Sequence, residues 1–111
     1  MIAITQFMVQ YLSGALDVSV FGEIPAQPPT SFAVVEKLGG GLKNHIAEST
    51  LRLGCFADTL AHAEDLSLTV QAAVEGMVAL PEICSTEYGG SSNATASKKY
   101  RYDVIFHITH Y

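Results

Sequence analysis

The chain has 111 residues, a formal net charge of −5 and 49% hydrophobic residues, so we expect one folded domain over residues 1–111 and not a disordered segment. The acidic charge argues against a protein that binds nucleic acid by counterion release, or one that docks on an anionic membrane surface. We expect no membrane span and no signal peptide, because no apolar run approaches about 18 residues and the N-terminus lacks a basic region.

The N-terminal third predicts one helix and two strands. Apolar residues at helical spacing indicate an amphipathic helix over residues 4–15. A short strand at 17–23 leads into a connection that contains Pro25, Pro28 and Pro29, where regular structure is disfavoured. The segment "SFAVVEKL" at 31–38 predicts the second strand, and its unbroken apolar run is typical of a strand buried on both faces.

The rest of the chain predicts three more strands and a long helix. The segment 48–57 is a third strand, and a helix follows from an N-cap at Thr59 until Pro81 ends it. We expect strands at 82–88 and 100–111, separated by a mobile loop at 89–99. The apolar stripe of the long helix consists of Ala63, Leu66, Val70, Ala73, Val74 and Met77.

The order α-β-β-β-α-β-β predicts an α+β fold. A single domain would contain a largely antiparallel, mixed sheet of four to five strands, with both helices packed on one face. One core should then unite residues from both helices and several strands, namely Ile4, Phe7, Tyr11, Leu53, Leu66, Val70, Val74, Val104 and Phe106.

The glycine triplet at 39–41 does not fit a phosphate loop. Such a loop needs a following helix and a Gly-Lys-Ser/Thr sequence, whereas here a predicted strand follows. The favoured interpretation is therefore a flexible hairpin loop over residues 38–45.

The histidines and cysteines predict no catalytic or metal site. His107 and His110 lie three apart on a strand, so they should face opposite sides, as surface residues near its end. A zinc site needs closely spaced Cys/His pairs, and the sequence has none. Cys55 lies mid-strand, where a buried thiol is inert. We expect two reduced thiols, no metal, no cofactor and no enzyme. A small enzyme that uses Cys84 or a histidine stays open as an alternative.

Leu68 stands nearly opposite the apolar stripe of the long helix. With the alanines on that flank it forms either a scattering of ordinary surface residues or a weakly apolar second face for a neighbouring subunit, and the sequence favours neither interpretation.

The order of elements and several segments resemble the tail-terminator and tail-completion proteins of long-tailed bacteriophages. The resemblance covers most of the chain. It rests on the Pro-rich segment after the first strand, on "FAVVEKLGGGLKN", on "STLRLGCFADTLAHAEDLSLTVQAAV" and on the final amphipathic strand. These family members often carry a tryptophan before the second helix, where this chain has Phe56 and no tryptophan. Membership of a sister family of neck proteins therefore stays open.

The resemblance implies a structural virion protein that assembles in the host cytoplasm. It would form a ring, expected to be a hexamer, that ends tail growth and joins the tail tube to the head-completion or neck protein. DNA would pass through the lumen without specific binding. The alternatives are a neck or head-closure protein of the same particle and a small non-viral binding module. The residues expected to contact a neighbouring subunit or the tube are Gly39, Gly40, Gly41, Leu42, Lys43, Asn44 and Leu68.

Overall fold

The computed structural model describes residues 3–43, 46–96 and 99–111. Within these ranges the chain forms a single α+β domain, and the order of its elements matches the predicted order. The elements are α1 (Ile4–Ala15), β1 (Ser19–Phe21), β2 (Phe32–Lys43), β3 (Ile46–Ala57), α2 (Leu60–Glu75), a 3₁₀ helix (Gly76–Ala79), β4 (Ile83–Asn93) and β5 (Tyr100–His110).

The five strands form one mixed sheet in the order β1-β2-β3-β5-β4. The short β1 pairs in parallel with the start of β2, and every other pairing is antiparallel. The long strands β3 and β5 lie inside the sheet, whereas β4 and most of β2 have one strand neighbour each. The predicted sheet is confirmed, with β1 as its parallel member.

Both helices pack on the same face of the sheet. Helix α1 buries Ile4, Met8 and Leu12, and it contacts β1, β2 and α2. Helix α2 begins as predicted, because the Thr59 hydroxyl accepts a hydrogen bond from the His62 backbone N–H at 3.1 Å. Six of the nine predicted core residues are buried in one cluster, and Phe7, Tyr11 and Leu66 pack against it.

A second, smaller cluster lies on the face away from the helices. It contains Phe32, Val34 and Phe56, with Phe21 packed against it. Because Ala33 and Val35 point into the main core while Val34 points the other way, the run at 33–35 is buried on both faces, as its composition predicts.

The predicted loop boundaries are wrong on both hairpins. Strand β2 continues through the glycines to Lys43, so the expected loop at 38–45 is largely strand, and its remaining positions, 44 and 45, lie outside the described residues. Strand β4 continues to Asn93, so the first half of the expected loop at 89–99 is strand as well. Composition favoured loops at both places because glycine and serine are poor strand formers, but each segment has a long partner strand that supplies its backbone hydrogen bonds.

Candidate interaction surface

The glycine triplet lies in the distal half of β2, beyond a bulge at Leu38. The three glycines pair with Thr50, Ser49 and Glu48 of β3. A Cβ on Gly40 would lie 2.6 Å from the Glu48 carbonyl oxygen, so only glycine fits there without a shift of the backbone. A Cβ on Gly39 or Gly41 would meet nothing within 4 Å, so lack of space does not require glycine at these two positions.

The outer edge of this half-strand carries no neighbour in the described part of the chain. Strand β1 pairs only with Phe32–Val34, so the stretch Val35–Lys43, which we call the open β2 edge, has β3 on one side and no strand on the other. Two leucines are exposed along it, Leu38 at 49% and Leu42 at 72%. Such an edge presents backbone donors and acceptors together with apolar side chains.

The structure separates the two surfaces that the sequence singled out. Gly39, Gly40, Gly41 and Leu42 lie together on the open β2 edge, and Lys43 ends that strand. Asn44 lies outside the described residues. Leu68 is 59% exposed on α2, a helix that packs mainly on β3 and β5. The two patches therefore belong to different elements.

An ion-pair network that sequence reasoning missed lies on the sheet face away from the helices. The Glu36 carboxylate accepts hydrogen bonds from Arg52, at 2.7 Å, and from Arg101. Arg101 also donates to Asp103 at 2.5 Å, and its guanidinium lies 4.9 Å from the centre of the Phe56 ring. The network joins β2, β3 and β5 at the base of the open β2 edge.

Burial and hydrogen bonding act in opposite directions on this network. Burial raises the pKa of the Glu36 carboxyl, but the hydrogen bonds and charges of Arg52 and Arg101 outweigh burial, so that the pKa lies below its ordinary value. Burial lowers the pKa of Arg101. The hydrogen bonds and charges of Asp103 and Glu36 outweigh this effect, so that the pKa lies above its ordinary value. Gly54 is part of the same arrangement, because a Cβ there would lie 2.8 Å from the Arg101 guanidinium. The alternation of Arg101 and Asp103 on one predicted strand was the available sequence signal.

A polar groove of about 340 Å³ runs beside the glycines on the sheet. Its lining includes Thr50, Glu87 and His107, and the His107 Nδ1 lies 3.0 Å from the Thr50 hydroxyl. Within residues 3–43, 46–96 and 99–111, no three His, Cys, Asp or Glu side chains are placed to share a metal ion.

A serine–histidine contact lies at the same end of these strands, on the helix-bearing face of the sheet. The Ser49 hydroxyl is 3.0 Å from His110 Nε2, and both residues are buried. The prediction that His107 and His110 are both surface residues is thus wrong for His110, whose ring turns inward beside Ser49. Among the described contacts, no carboxylate contacts either ring nitrogen of His110, and both residues have little exposed surface, 3% for Ser49 and 8% for His110. We interpret the contact as two buried polar groups satisfying each other.

His62 and the two cysteines occupy structural positions. His62, on the first turn of α2, forms an exposed hydrogen bond at 2.6 Å with Asp58, which lies just before the helix. Burial raises the pKa of the Cys55 thiol to about 12, which makes it a poor nucleophile, and Cys84 is half-buried. His45 lies outside the described residues.

No family model matches the chain, and no curated protein matches it. None of the helices in the described residues is long and apolar enough to cross a membrane.

Proposed function

We propose that the protein is a structural subunit of a phage particle, which forms a ring at the head-proximal end of the tail tube, ends tail growth and joins tail to head. The observation that carries the proposal is the open β2 edge, a glycine-rich strand with two exposed leucines and no strand neighbour in the described part of the chain. A ring subunit needs such surfaces, because each copy must contact its neighbours and the tube.

Further features support this role over an enzymatic one. Of the two hydroxyl–histidine pairs, Ser49–His110 is buried, and the described residues hold no metal-binding cluster. The net charge of −5 suits a channel that DNA must traverse without binding, because like charges repel. The ring would work through surfaces and not through a catalytic group.

The direct test mixes the purified chain with purified tail tubes that lack a terminator and images them by negative stain. We expect a ring at one end of each tube. Tubes that remain bare at both ends would rule out the terminator role and favour the alternative, a neck or head-closure subunit, which should instead bind to head connectors.

Variants separate the two candidate patches. Leu42→Lys should abolish capping if the open β2 edge makes the contact, because it adds a charge where an apolar side chain would be buried. Leu68→Lys tests the α2 patch in the same way. Thr69→Lys, at a neighbouring exposed position on α2, is the matched control and should cap tubes like the wild type.

A further inference from the structure

The sheet has two open edges, one at each side. The first is the open β2 edge, and the second is the outer side of β4, which pairs only with β5 in the described residues. An unpaired edge strand is a template for pairing with a strand of another chain. Each edge has a regular stretch that could pair, Gly39–Lys43 beyond the bulge of β2 and Ser85–Tyr88 between the irregularities of β4.

The directions of the two edges are compatible. Strand β2 is antiparallel to β3, β3 to β5, and β5 to β4, so β2 and β4 run in opposite directions in the sheet. If a second copy is placed beside the first with its helices on the same side, its β4 meets the open β2 edge as an antiparallel pair. The sheet then continues from one copy into the next.

The exposed apolar side chains fall on matching faces. Leu42 pairs with Ala47. Ala47 lies two residues from the buried Ser49 and therefore on the same, helix-bearing face of the sheet, so Leu42 lies on that face too. Tyr88 pairs with Phe106 on that same side, packs edge-on against its ring, and is 44% exposed. With Leu42 opposite Thr86 of the neighbour, Leu42 and Tyr88 become diagonal neighbours on one face.

Charge favours the pairing of unlike edges over like ones. Lys37 is the positive residue in the part of the open β2 edge whose side chains are described, and Glu36 there is already bound to two arginines, whereas Glu87 is the one charged residue in the β4 sequence. A two-fold β4–β4 pairing centred on Glu87 would bring the two copies of that carboxylate together.

We propose that copies of this chain associate by antiparallel pairing of the open β2 edge of one copy with β4 of the next. Such a contact is head-to-tail, so it leaves one free edge of each kind until a ring closes. This inference rests on the proposed function in that it supplies the contact between subunits of the proposed ring.

Disulfide trapping tests the pairing. In a Cys84→Ser background, Leu42→Cys protein is mixed with Thr86→Cys protein under mild oxidation, both free in solution and with tail tubes present. Directly opposed residues in an antiparallel pair are close enough for a disulfide. We expect a covalent dimer from the mixture as the main product, little from either protein alone, and a ladder of oligomers from the doubly substituted chain.

The controls decide between contacts. Leu42→Cys mixed with Thr69→Cys should give no dimer, because Thr69 lies on α2. Dimers from Leu42→Cys alone, as abundant as those from the mixture, would show that like edges meet and would overturn the inference. So would the absence of dimer in both conditions.

The outcomes also separate this inference from the proposed function. Tubes that are capped by rings while the mixture stays unlinked would refute edge pairing and leave the terminator role standing. Cross-links that form while tubes stay bare would refute the terminator role and leave edge pairing standing.

Discussion

At the scale of single residues, Glu36 links three strands of the sheet. Its carboxylate receives two guanidinium groups from different strands, and Arg101 is itself held by Asp103 and by the ring of Phe56. The arrangement is partly buried, so each hydrogen bond to the carboxylate is worth more than an exposed pair. It fixes β2 just after the strand loses its outer neighbour, because β1 pairs only as far as Val34.

Glu36→Gln should destabilise the fold by about 1–3 kcal/mol at neutral pH, because two charged hydrogen bonds lose their anion. The folded-state pKa of Glu36 is lowered, so its contribution is present above the ordinary pKa of 4.5 and is lost as pH falls below that value. The variant should therefore show a smaller loss of stability between pH 6 and pH 3 than the wild type, in urea unfolding at several pH values.

The matched control for this prediction is Glu64→Gln on the exposed side of α2, which should change stability by less than about 0.5 kcal/mol. If Glu36→Gln and Glu64→Gln unfold alike at every pH, the network contributes nothing measurable.

At the scale of elements, helix α2 stabilises the centre of the sheet. Its buried residues Ala63, Ser67, Val70 and Val74 face β3 and β5, the two inner strands. Ser67 interrupts the apolar stripe without an unpaired polar group, because its hydroxyl donates to the Glu64 carbonyl at 2.6 Å. The helix thus covers the middle of the sheet and also contacts the edge strand β4.

Val70→Ala should lower the free energy of unfolding by about 1–3 kcal/mol, because Val70 is fully buried and its two lost methyl groups leave a cavity. Thermal or urea unfolding measures the change. Leu68→Ala on the same helix is the control and should stay within about 0.5 kcal/mol of the wild type. A Val70→Ala protein as stable as Leu68→Ala would mean that the helix does not pack through this stripe.

At the scale of the whole molecule, the two cysteines differ in burial, so their reactivity can show how far the fold opens. Cys55 is buried in the inner strand β3, whereas Cys84 is half-buried near the start of the edge strand β4. Exposure of Cys55 requires the separation of the helices from the sheet.

A thiol-specific reagent should therefore modify the native protein in two phases, and mass spectrometry can follow the number of labels over time. We expect Cys84 to react first, and Cys55 only at the rate of global opening, since its thiol is buried and its pKa is raised to about 12. Denaturant should give two labels at once, and Cys84→Ser should remove the fast phase. A denatured chain that takes no label would reveal a disulfide and contradict the prediction of reduced thiols.

Local patterns along the chain were sufficient to predict the fold class, helix α1 with its bounds, the Thr59 cap and the main core. These depend on periodicity and capping, which the chain expresses over a few neighbouring residues. The burial of residues 33–35 on both faces of the sheet could also be predicted, because an unbroken apolar run places apolar side chains on both faces.

Tertiary pairing decided the rest. The local composition at 39–41 and 89–93 is typical of loops. These segments are nevertheless strand, because distant partner strands satisfy their backbone groups. Glu36 and Arg101 are 65 positions apart, so no local pattern could join them. The open β2 edge exists only because β1 stops after three residues, leaving Val35–Lys43 without a partner on that side in the described chain, and the extent of that pairing is a property of the assembled sheet.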